Sequence, residues 1–121
     1  MDREKANTPT RVIVKNAEQQ LTIEWADGHQ STYTLDGLRR ACPCAECQGG
    51  HDKMGSLPDP EIFLVPPLMR WEKLKLFPVG NYAIRFVWDD GHDAGIYSWE
   101  RLRRMCPCPT CIEYWRLHAE E

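Results

Sequence analysis

Trp25-Ala26-Asp27-Gly28-His29 and Trp88-Asp89-Asp90-Gly91-His92 carry the same Trp-x-Asp-Gly-His string, and each stands upstream of the same kind of cysteine cluster. Behind the first lies Leu38-Arg39-Arg40-Ala41-Cys42-Pro43-Cys44-Ala45-Glu46-Cys47. Behind the second lies Leu102-Arg103-Arg104-Met105-Cys106-Pro107-Cys108-Pro109-Thr110-Cys111. Tyr33 and Tyr97 fall at matching places in between. Order, spacing and identity recur together, which marks the chain as two copies of one unit.

Each copy reads as strand, hairpin, strand and short helix. Leu21-Thr22-Ile23-Glu24-Trp25 alternates apolar and polar residues, and Ala83-Ile84-Arg85-Phe86-Val87-Trp88 is equally β-favouring. Asp27-Gly28 and Asp90-Gly91 predict two-residue hairpin loops of type I′, because glycine tolerates a positive φ. Second strands follow through Thr32-Tyr33-Thr34 and Ile96-Tyr97-Ser98, and earlier ones are expected at Arg11–Val14 and Lys73–Phe77. Thr34 or Asp36 in one copy and Ser98 in the other suit helix N-caps. Each helix must stop at the proline of Cys-Pro-Cys, which disfavours helical backbone in the residue before it. The expected fold class is α+β, an antiparallel sheet of about six strands with short helices, repeated about an internal pseudo-twofold. Residues 1–9 read as a flexible tail and 10–121 as a single domain. That domain divides into repeat one at 10–47, a Pro/Gly-rich connection at 48–69, repeat two at 70–111 and a C-terminal helix at 109–119 with Pro109 in its first turn.

Composition bounds the function. The chain is 42% hydrophobic and 27% charged, which suits a folded soluble domain. No apolar run approaches the ~20 residues that span a bilayer, and the charged start Met1-Asp2-Arg3-Glu4-Lys5 lacks an apolar signal core. A cytoplasmic location is therefore expected, with no membrane partner. In that reducing setting six cysteines point to metal or redox chemistry before structural disulfides. A formal net charge of −3 argues against nucleic acid as a partner.

Cys-x-x-Cys sets two sulfurs on one side of a turn, and the cysteine two residues earlier, held by a rigid proline, brings a third to the same point. Three thiolates and an imidazole complete a tetrahedral zinc site. Free cysteines also serve as small core hydrophobes, and Cys-x-x-Cys can act as a disulfide switch, but the thioredoxin-like βαβ setting is missing. The histidine candidates are His29, His51, His92 and His118. His29 and His92 sit just past hairpin turns, where a strand can aim an imidazole; spacing alone does not say whether each serves its own cluster or that of the other copy. Arg39-Arg40 and Arg103-Arg104 abut the clusters and read either as cations offsetting thiolate charge or as a solvated helix face. The turn carboxylates Asp27, Asp89, Asp90 and Asp93 read as turn formers.

The cluster Leu38–Cys47, Val79-Gly80-Asn81-Tyr82-Ala83-Ile84, Trp88–His92 and Gly95-Ile96-Tyr97-Ser98 together resemble the gamma-butyrobetaine hydroxylase-like N-terminal domain family. That family occurs as small stand-alone bacterial proteins, beside 2-oxoglutarate dioxygenase domains and beside P-loop ATPases of iron–sulfur assembly. The resemblance implies a zinc site at Cys42, Cys44, Cys47 and His92, the last coming from the other copy. It implies a dioxygenase or an iron–sulfur assembly ATPase as protein partner. A pseudo-twofold that carries His92 to the first cluster carries His29 to Cys106, Cys108 and Cys111, so a second metal site is expected there. No His-x-Asp iron triad, phosphate loop or other catalytic constellation is found. The expected function is a non-catalytic zinc-binding module with an adaptor role; the alternative is an iron–sulfur cluster carrier or assembly accessory, followed by a thiol redox protein.

Overall fold

Inward-facing Leu21, Ile23 and Trp25 make β2 (Gln20–Trp25) the centre of the first sheet. It lies antiparallel between β1 (Pro9–Lys15) and β3 (Gln30–Thr34), with Leu21 opposite Tyr33 and Ile23 opposite Ser31. Helix α1 (Leu35–Arg40) follows at once, and its N-cap is Thr34, whose hydroxyl accepts the Gly37 N–H at 3.1 Å. The structure, a computed structural model, describes residue 5 and residues 7–42, 60–93 and 95–117. A second sheet runs β4 (Lys75–Val79), β5 (Ala83–Val87), β6 (Ile96–Ser98), again antiparallel. Ser98 caps α2 (Trp99–Arg104) by accepting the Arg101 N–H at 3.1 Å, and α3 (Pro109–Leu117) closes the described chain. The class is α+β, and among the described residues three strands followed by a short helix occur twice, with α3 after the second. Among the described residues no helix is long and apolar enough to cross a membrane.

Two three-stranded sheets stand where the sequence suggests one of about six strands. The outer strands β3 and β6 run straight into their capped helices, and β6 is three residues long, leaving little edge to extend. Side chains join the halves instead. Leu21, Ile23, Tyr33 and Leu38 share one buried cluster with Ile84, Phe86, Tyr97 and Leu102. The two tyrosines exchange hydrogen bonds across it: the Tyr33 hydroxyl donates to the Leu102 carbonyl and the Tyr97 hydroxyl to the Leu38 carbonyl.

The hairpin loops also differ from the expected class. A type I′ turn needs a positive φ at both central residues. Here the left-handed residue is the glycine alone, Gly28 at φ +90° and Gly91 at φ +83°, with no positive φ at Asp27 or Asp90. The Gly28 N–H bonds the Trp25 carbonyl at 3.0 Å and the Trp25 N–H bonds the His29 carbonyl at 2.9 Å; Trp88, Gly91 and His92 repeat this at 2.9 and 3.0 Å. These are three-residue loops in which a turn is followed by a left-handed glycine.

A strap lies between the sheets. Its short 3-10 turn Pro60–Phe63 sets Phe63 edge-on to Tyr33 at 5.1 Å, and buried Trp71 meets Trp88 edge-on at 5.2 Å. Buried Asp36 accepts the Leu68 N–H at 2.8 Å and the Trp71 indole N–H at 3.2 Å. The Gln19 side chain brackets the Trp71 backbone from both sides, accepting its N–H at 2.6 Å and donating to its carbonyl at 2.8 Å.

Candidate metal centre

The glycine loop after β2 turns the chain so that His29 leaves the hairpin tip directed away from its own half. The Asp27 carboxylate fixes it by accepting the His29 N–H at 3.0 Å. From the other half, α2 is followed by its C-cap Met105, and the Cys106 N–H still bonds the Arg103 carbonyl at 3.2 Å. Pro107 breaks the helical run, and a new helix begins as the Ile112 N–H reaches the Cys108 carbonyl at 3.0 Å. Cys111 thus lies in the first turn of α3, and its own N–H donates to the Cys108 sulfur at 3.4 Å.

These two segments meet. His29 Nε2 stands 3.3 Å from Cys106 Sγ, 3.6 Å from Cys108 Sγ and 3.3 Å from Cys111 Sγ. The four donor atoms all lie within 4.8 Å of one another. Cys106 and Cys111 are buried, whereas His29 and Cys108 keep partial exposure. The described cysteines form no disulfide.

The surroundings favour a thiolate at Cys106. Its pKa falls to about 4, chiefly through the hydrogen bond from Cys111; burial opposes this, while the Ser31 hydroxyl, the Cys108 N–H and His29 add to it. The same bond, with burial, pushes Cys111 upward, so the pair holds one proton between two sulfurs. The Trp25 indole N–H donates to Ser31 Oγ at 2.9 Å, leaving that hydroxyl's own proton for the sulfur. Burial raises the Asp27 carboxyl, but hydrogen bonds from Arg103 and from the His29 N–H outweigh it and hold the group below its ordinary value.

In the other half, Cys42 Sγ lies 3.2 Å from His92 Nε2, and the Asp90 carboxylate accepts the His92 N–H at 3.0 Å. Among the described residues His92 therefore approaches Cys42 of the opposite half, as His29 approaches Cys106, Cys108 and Cys111. Cys44, Cys47, His51 and His118 lie outside the described residues. Gly95 packs so closely on Cys42 that a Cβ there would come within 2.8 Å of the sulfur.

Ser31 escapes sequence reasoning. Its signal is a small polar residue two positions before Tyr33, in phase with the inward face of β3 and fully buried. The arginines divide: Arg103 is buried against Asp27, while Arg40 stays half-exposed and reaches Asp36 only at 4.0 Å. Asp89 does more than turn the chain, since its two oxygens take the Glu72 and Lys73 N–H groups at 2.8 and 2.7 Å.

The family described as "Gamma-butyrobetaine hydroxylase-like, N-terminal" matches residues 12–103, from inside β1 to the last turn of α2. The chain belongs to the gamma-butyrobetaine hydroxylase-like N-terminal family. This member is similar to a crystal structure, at 1.93 Å resolution, of a protein of unknown function of the DUF971 family from Acidithiobacillus ferrooxidans ATCC 23270. The two share 30% identity and a TM-score of 0.62, over 84% of this chain and 94% of that one. A protein solved by NMR in solution shares 28% identity and a TM-score of 0.63, over 94% and 83% of the two chains. A further solution structure, at 21% identity and a TM-score of 0.55 over 93% and 81%, shares the fold. No curated protein matches significantly.

The imidazole-to-sulfur edges of this donor set suit a single metal ion. A tetrahedral ion with metal–sulfur bonds of ~2.3 Å and a metal–nitrogen bond of ~2.0–2.1 Å spaces its ligand atoms roughly 3.5–3.8 Å apart. The His29-to-sulfur separations of 3.3 to 3.6 Å match those edges to within a few tenths of an ångström.

Proposed function

We propose that this chain is a non-catalytic zinc module whose ion, held by His29, Cys106, Cys108 and Cys111, ties the two halves together. The observation that carries the reading is the convergence of an imidazole from one half on three sulfurs from the other, with nitrogen-to-sulfur separations that match those of a single tetrahedral ion and all four donors within 4.8 Å of one another. Zinc suits three soft thiolates and an imidazole, and it brings no redox chemistry of its own. Filling all four positions from the protein is the closed arrangement of structural zinc, whereas a catalytic ion keeps one position open. An iron–sulfur cluster distributes its ligands over two or more irons and needs wider spacing than these donors offer. The Cys42–His92 contact supports a like role for the first cluster, with Cys44 and Cys47 as its remaining donors.

The test is elemental analysis and ultraviolet–visible spectroscopy of protein purified without oxygen. The proposal expects a colourless protein carrying at least one equivalent of zinc per chain. A brown protein with iron, inorganic sulfide and a charge-transfer band would replace it with the iron–sulfur reading.

A further inference from the structure

We infer that the Asp27–Arg103 ion pair is a positioning latch that aims His29 at the metal. The inference rests on the metal reading above and concerns how the fourth ligand reaches a cluster built by the other half.

One carboxylate joins the two ligand-bearing segments. Arg103 lies three residues before Cys106 on α2, and Asp27 lies two residues before His29 at the hairpin tip. The guanidinium fork meets the carboxylate at both ends, Nη1 on Oδ1 at 3.1 Å and Nη2 on Oδ2 at 3.0 Å. Oδ1 also accepts the His29 N–H at 3.0 Å. The Arg103 side chain is 5% exposed, and its guanidinium sits 5.7 Å from the Trp25 ring centroid. Trp25 in turn opens the loop that carries Asp27. The hairpin tip is thereby fixed in position and direction relative to the helix that leads into the cysteines.

Stability alone is a poor reason for such a pair. Removing a charged pair from water offsets much of what its attraction returns, and well-packed apolar replacements are often as stable. A planar fork, unlike a point charge, transmits orientation. The arrangement also occurs twice. Arg39 lies three residues before Cys42 and meets Asp90 Oδ2 through Nε at 3.2 Å and Nη2 at 3.1 Å, while Asp90 Oδ1 accepts the His92 N–H at 3.0 Å. Both copies of the Trp-x-Asp-Gly-His hairpin thus tie the histidine backbone to an arginine of the opposite half through one aspartate, by a fork on both oxygens at Asp27 and on Oδ2 alone at Asp90.

Cobalt(II) separates a positioning role from a merely structural one, because its sulfur charge-transfer bands report bound thiolates and its d–d bands report the fourth ligand. The full chain is titrated with cobalt(II), then with zinc in competition, as wild type, Asp27→Asn, Arg103→Lys and, as a control, Arg116→Ala in the exposed Glu113 pair. The latch predicts that Asp27→Asn keeps the sulfur bands, changes the d–d envelope as water replaces the imidazole, and binds about 10–100-fold more weakly. Arg103→Lys, which keeps the charge but not the fork and guards against a misfolded Asp27 variant, falls between that variant and wild type. Arg116→Ala leaves both readouts at wild type. Wild-type d–d bands and affinity within about twofold in both latch variants would overturn the latch while leaving the metal reading intact. Failure of the wild type to develop sulfur–cobalt bands would overturn the metal reading itself, and the latch with it.

Discussion

Gly37→Ala is predicted to destabilise the protein, against the ordinary helix rule. Alanine in a helix interior is favoured over glycine by about 1 kcal/mol. Gly37 occupies α1, but a Cβ there would lie 2.6 Å from Phe63 Cδ1 and 2.6 Å from Thr34 Oγ1. Both neighbours are already engaged. The Thr34 hydroxyl caps α1 by accepting the Gly37 N–H at 3.1 Å, and losing such a cap costs about 1 kcal/mol. Phe63 is 5% exposed and wedged against Tyr33 at 5.1 Å, and overpacking of this kind costs about 1–3 kcal/mol. The balance is a net loss of about 1–3 kcal/mol, or a fall of roughly 3–12 °C in melting temperature for a domain of this size. Circular dichroism melts of metal-replete protein measure it. The source is isolated by repeating the substitution on a Phe63→Leu background, where removing the ring reduces the loss by at least about 1 kcal/mol. A melting temperature unchanged or raised by Gly37→Ala would refute the close-approach argument.

Stripping the metal with a strong chelator is expected to lower the melting temperature by roughly 10 °C or more, because an ion present at a thousand times its dissociation constant contributes about 4 kcal/mol; an unchanged melt after verified metal loss would contradict a structural role. Tyr33→Phe removes the buried hydroxyl that reaches Leu102 across the halves and should cost about 1–2 kcal/mol in urea unfolding, without changing metal content. Asp36→Ala orphans the Leu68 N–H and the buried Trp71 indole N–H, so a loss of about 2–4 kcal/mol is expected in the same assay.

Period-two patterning locates β2 and β-favouring composition locates β5, and the caps at Thr34 and Ser98 follow from side chains able to accept a backbone N–H. The partition into two sheets is not legible in that way, because the apolar face of a strand does not say which strand lies beyond its neighbour. The loop class is lost for a related reason: Asp-Gly satisfies both a type I′ turn and a turn followed by a left-handed glycine, and only the φ of Asp27 distinguishes them. At the candidate site, the grouping of Cys106, Cys108 and Cys111 is legible from spacing and proline placement. The approach of His29 is a long-range event that spacing does not encode: hairpin placement favours His29 and His92 over His51 and His118, and only the family resemblance, with its pseudo-twofold, assigns each to the cluster of the other half. Arg103 and Arg104 are adjacent in sequence, and helix phase alone sends Arg103 inward to Asp27. Ser31 is recognisable only once its register opposite Ile23 is known.

The account stands most directly on zinc-edge X-ray absorption of a variant restricted to the second cluster, with Cys42, Cys44 and Cys47 replaced by serine. It predicts one zinc with three sulfur neighbours at ~2.3 Å and one nitrogen at ~2.0–2.1 Å, the nitrogen lost in His29→Ala. A shell dominated by oxygen or nitrogen, or a nitrogen signal untouched by His29→Ala, would contradict it.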